Sequence, residues 1–96
     1  MSELMSGLTA FLAGRYAEEW SAARDQELMA GLDESRATRD VDAKREILRR
    51  CAVHMDEPDQ WPNGLVSPRA VLARQVIMNL GATYDDHPSY QPEWKP

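Results

Sequence analysis

The sequence has little of what would build a disulfide framework, a membrane span or a β-sheet. It contains one cysteine, Cys51, which excludes an internal disulfide and is typical of a protein from a reducing compartment. No apolar run approaches the roughly 20 residues that a membrane-spanning helix needs. No segment alternates apolar and polar residues over a useful length, so strands are not predicted.

Basic residues are also in the minority. Lys and Arg number 11 against 16 Asp and Glu, which gives a net charge of −5. Phosphate binding needs a basic surface, so nucleic acid is a poor partner for this chain. The basic residues of the middle region are interleaved with Asp and Glu, a pattern typical of a solvated, salt-bridged helix. We therefore predict neither a nucleic-acid nor a membrane partner.

The length of the chain allows one domain, which we predict over residues 1–96. A chain of this size buries about 60–65% of its unfolded surface, enough for a modest core but too little for a deep enclosed active site. Met1 to Thr9 has neither the basic nor the apolar region of a secretory signal. We predict a cytoplasmic protein that uses no cofactor and is not an enzyme.

Apolar residues at helical spacing predict a first helix from Ser2 to about Arg24. Its stripe is formed by Leu4, Leu8, Phe11, Leu12, Tyr16 and Trp20. Leu28 and Leu32 point away from this stripe, which predicts a break or bend near Asp25. The bundle then has three helices, or four if the first one is broken.

A second helix is predicted from about Ala37 to Met55. Lys44 projects into the middle of its apolar face, where a lysine must extend to solvent or find a carboxylate. We predict that Lys44 pairs with Asp85 or Asp86 of the C-terminal segment, or with Glu19 of the first helix.

A third helix is predicted to begin at Ser67-Pro68, with serine as N-cap and proline at the first helical position. Its core face is predicted to contain Leu72, Ala73, Val76, Ile77, Leu80 and Tyr84. Val71 and Met78 form a second, smaller apolar patch. The predicted fold class is therefore all-α, a small helical bundle.

The C-terminal segment, residues 83–96, carries Pro88, Pro92 and Pro96. Prolines exclude a helix interior or a central strand here, yet the segment is richer in aromatic rings than a free tail. We predict that it packs on the bundle in extended, polyproline-like form with Tyr90 and Trp94 as anchors. We call this segment the strap.

Two stretches carry a family resemblance: RDVDAKREIL in the second helix, and YDDHPSYQPEWKP directly after the third. They resemble a family of small actinobacterial and actinophage proteins of unknown function, whose members end in a Tyr-x-Asp-His-Pro-x-Tyr run and a Glu-Trp-Lys/Arg-Pro end. The resemblance implies an actinobacterial or phage origin and no particular activity. Members of that family also carry a Cys-x-x-Cys-His cluster before the last helix, whereas Glu57 to Ser67 of this chain contains neither Cys nor His.

One local cluster has the chemistry of a metal or catalytic site. Cys51 and His54 are one turn apart on the second helix, a spacing that suits zinc, and Asp85, Asp86 and His87 of the strap could join them. The alternative assigns structural roles: a lone cysteine on an apolar stripe packs as a small hydrophobe, and an Asp-Asp-His run after a helix forms a turn. We favour the structural interpretation.

The sequence favours a non-catalytic protein that binds another protein, in the form of a phage-encoded or accessory factor acting on a host protein. The predicted interface residues are apolar and lie off the main stripes: Leu28, Leu32, Val71 and Met78. Exposed apolar patches are characteristic of binding surfaces, and a symmetric homodimer through one such patch is the simplest arrangement.

Overall fold

The structure, a computed structural model, describes residues 3–31, 35–55 and 67–96. These ranges contain three α-helices and one short 3-10 helix: α1 (Glu3–Ala30), α2 (Arg36–Met55), α3 (Pro68–Ala82) and the 3-10 helix Pro92–Trp94. None of the described residues lies in a β-strand. The predicted all-α bundle is confirmed.

Helix α1 is unbroken over 28 residues. Its buried positions recur at helical spacing, typical of a helix packed along one side. They are Met5, Leu8, Leu12, Tyr16, Ala23 and Glu27. The predicted break near Asp25 is therefore wrong, because the side of α1 that faces inward continues past that residue.

The reason is a buried carboxylate at the end of α1. Glu27, only 1% exposed, accepts hydrogen bonds from Arg24 Nη1 at 2.9 Å and from Ser35 Oγ at 3.1 Å. The Thr38 hydroxyl also donates to it. Ser35 Oγ in turn accepts from the Thr38 amide at 3.3 Å and so caps α2. We call Arg24, Glu27, Ser35 and Thr38 the Glu27 cluster. It holds the end of α1 against the start of α2 through polar contacts.

Helix α2 matches its predicted range and begins one residue earlier, at Arg36. Val41, Leu48 and Met55 are buried at seven-residue intervals. The predicted pairing of Lys44 is wrong: its Nζ lies 2.9 Å from Asp40 Oδ2, one turn earlier on the same helix. The Lys44 side chain is 39% exposed and its ammonium group is paired within α2, so it needs no carboxylate from another element.

Helix α3 begins as predicted, with the Ala70 amide donating to Ser67 Oγ at 3.1 Å. Its inward face is formed by Ala70, Ala73, Ile77 and Gly81. Leu72 is 61% exposed, so its assignment to the core is wrong, because the small side chains of Ala70 and Ala73 define the face that packs. A Cβ at Gly81 would lie 2.8 Å from Leu8 Cδ1, and the glycine thus allows α1 and α3 to approach closely.

The strap begins as a succession of turns. Tyr84, His87 and Tyr90 each donate a backbone hydrogen bond to the residue three positions earlier, at 2.9–3.0 Å. Extended backbone is found at Gln91 and Lys95, on either side of the 3-10 turn. The strap therefore packs on the bundle mainly through turns, and polyproline-like backbone is restricted to its last residues.

Candidate functional site

The strap is held by a cluster of rings centred on Phe11 of α1. The Phe11 ring centroid lies 5.2 Å from those of His87 and Trp94, and 5.9 and 6.4 Å from those of Tyr84 and Tyr90. Tyr90 and Trp94 are 9% and 7% exposed. Most of the pairs are edge-to-face, the arrangement that aromatic rings prefer. We call this the aromatic cluster, and its geometry is that of packed core side chains.

Two tyrosines link α1 to the end of α3. The Tyr84 hydroxyl donates to Glu19 Oε2 at 2.8 Å, so Glu19 does meet the strap, but through a tyrosine and not through Lys44. Burial raises the pKa of Tyr84, and the Glu19 carboxylate raises it further. Burial likewise raises the pKa of Tyr16 to about 12. Both phenols therefore remain neutral at ordinary pH and serve packing and hydrogen bonding.

His87 occupies the turn that could have been an acid–base site. Its Nδ1 accepts the Ser89 amide at 3.0 Å, and its Nε2 lies 3.1 Å from Arg15 Nη1. Asp85 and Asp86 are both exposed. Each ring nitrogen of His87 thus has a neighbour that orders the turn, which is the arrangement expected of a structural histidine.

The candidate metal ligands do not converge in the part of the chain that the structure describes. There, no three or more His, Cys, Asp or Glu side chains are placed to hold a metal ion. Cys51 is half-buried against the core, and burial raises the pKa of its thiol. His54 is half-buried in the last turn of α2. Most of the stretch compared with the family's cysteine cluster lies outside the described residues.

The predicted interface residues have different environments. Leu28 is 65% exposed near the end of α1, and Val71 is 43% exposed on α3. Met78 is partly buried against the core, so its assignment to an exposed patch is wrong, since it lies close enough to the inward face of α3 to pack there. Leu32 lies outside the described residues. Sequence reasoning missed Met29, which is 90% exposed next to Leu28.

The outer face of α1 is exposed and made of small, uncharged residues. They are Ser6, Ala10, Ala13, Gly14, Ala17 and Ser21. Between this face and α2 lies an open groove of about 640 Å³. The apolar part of the groove is formed by Ala13, Leu48 and Ala52, with charged residues of α2 beside it.

The charged side of α2 is internally paired. Glu46 accepts from both Arg49 and Arg50, at 2.5 and 2.9 Å. Hydrogen bonds from these two guanidinium groups lower the pKa of Glu46 to about 2. Two of the arginines that make α2 look basic in sequence therefore share a carboxylate.

Almost the whole of this helical bundle, strap included, matches a known protein family. The family is one of unknown function, DUF6221, and the match covers residues 5–96. The chain belongs to this family. The match confirms the predicted relationship to a family of unknown function. No curated protein and no solved structure matches this DUF6221 chain. Among its described helices, none is long and apolar enough to cross a membrane.

Proposed function

We propose that this DUF6221 protein acts by non-catalytic binding to another protein, and that the end of α1 carries the recognition surface. The observation that supports the proposal is the exposure of Leu28 and Met29, at 65% and 90%. Large apolar side chains that stay in water at adjacent positions favour burial in a partner. The family resemblance makes an accessory or phage-encoded factor that binds a host protein the specific form of the proposal.

The end of α1 is also rigidly supported, which favours a binding role over simple tolerance of exposed residues. Glu27 lies directly before Leu28 and is buried in a fully hydrogen-bonded cluster with α2. A buried carboxylate is costly unless it is paired and hydrogen-bonded. The helix ends at Ala30, and the next residue, Gly31, has a φ of 72°, which suits the position after a helix C-terminus. Leu28 and Met29 are therefore presented on a fixed helical turn, and a backbone that is ordered before binding lowers the entropic cost of binding.

Affinity capture with matched variants tests the proposal. Immobilised wild-type protein, a Leu28→Ser/Met29→Ser variant and a Val53→Ser control are each incubated with an actinobacterial lysate. Val53 on α2 is also exposed, at 59%, and controls for the loss of one apolar side chain. We expect a protein that is retained by the wild type and the control but not by the double variant. Equal recovery by all three proteins, or no recovered protein, contradicts the proposal.

A further inference from the structure

We draw no further inference here: the strongest candidate, the open groove between α1 and α2 beside Ala13 and Leu48, is an uncovered face whose neighbouring charges have both signs, and nothing in the described part of the structure shows what covers it.

Discussion

The two halves of α1 are held to the rest of the molecule by different chemistry. The N-terminal half packs through fully buried apolar side chains and through the aromatic cluster around Phe11. The C-terminal half contacts α2 through the Glu27 cluster, which is a carboxylate with hydroxyl and guanidinium donors. Apolar packing is non-directional and grows with the area buried, whereas the carboxylate cluster depends on charge and on geometry.

This difference assigns two roles: one half of α1 determines the stability of the fold, and the other half holds Leu28 and Met29 in place. The apolar half contains most of the core and the strap, so it should set the free energy of unfolding. The polar half contributes only Ala23 and the partly buried Trp20 to apolar packing, and it carries Leu28 and Met29 in solvent. We infer that the Glu27 cluster mainly fixes the orientation of the helix end, and substitutions in the two halves should have different consequences.

The largest effect is expected in the apolar half, at Trp94. Replacing Trp94 with alanine removes a ring that is 7% exposed and packs against Phe11, so the free energy of unfolding should fall by about 3 kcal/mol. Urea denaturation followed by circular dichroism measures the loss. The neighbouring exposed residue provides the control, and Glu93→Ala should leave the midpoint nearly unchanged. An unchanged midpoint in Trp94→Ala would show that the strap is not part of the core.

A smaller loss is expected where α1 and α3 approach. In Gly81→Ala the new methyl group would lie 2.8 Å from Leu8 Cδ1, and Leu8 is fully buried. Overpacking of about 1–3 kcal/mol is offset in part by the higher helix propensity of alanine, so we expect a net loss of about 1 kcal/mol. The control is Gly7→Ala, whose methyl group would lie an ordinary 3.6 Å from Trp94. If both variants were equally stable, the close approach would have no energetic consequence.

The sequence predicts the apolar parts of this architecture better than the polar parts. Helix α2 and the start of α3 follow from local signals, because Val41, Leu48 and Met55 recur at helical spacing and Ser67-Pro68 is a strong start signal. The continuity of α1 could not be predicted from apolar periodicity, because one of the buried residues that continue its inward face after Asp25 is a glutamate, Glu27. Arg24, three residues before Glu27, is the one local signal that could have indicated a paired carboxylate.

The partners of the strap are harder to predict. A strap carboxylate is a plausible partner for Lys44, but Asp40 on its own helix is nearer, and Glu19 instead receives Tyr84. The turns between Tyr84 and Tyr90 determine which carboxylate pairs with which hydrogen-bond donor. The direction of these turns cannot be predicted from a repeating pattern in the sequence. The exposed α1 face escapes prediction for another reason: alanine and glycine are compatible with both buried and exposed positions.

A local effect is expected in the polar half when the charge of Glu27 is removed. Glu27→Gln keeps the shape of the side chain but removes the charge with which Arg24 pairs. Amide hydrogen exchange should become faster over residues 24–31 and 35–38 and remain slow in the strap. Glu18→Gln is a matched control, because Glu18 forms the same i, i+3 pair with Arg15 but is 67% exposed, and surface pairs contribute little. Faster exchange in the strap of Glu27→Gln would contradict the separation of the two halves.

The smallest effect is expected from acid, and it should also be confined to the polar half. Burial acts to raise the pKa of Glu27, but hydrogen bonds from Ser35 and Arg24 outweigh it and lower the pKa from its ordinary value of 4.5. A carboxyl group whose folded pKa is lowered stabilises the fold above its unfolded pKa, and this contribution is lost as the pH falls through the folded pKa. After correction for the pH dependence of intrinsic exchange, the protection of amides in residues 24–31 and 35–38 should therefore decrease below pH 4.5 before that of the strap. Glu46 also has a lowered pKa, but it is paired on the outer side of α2. The acid step should consequently disappear in Glu27→Gln and persist in Glu46→Gln. The opposite result would assign the acid sensitivity to the surface of α2.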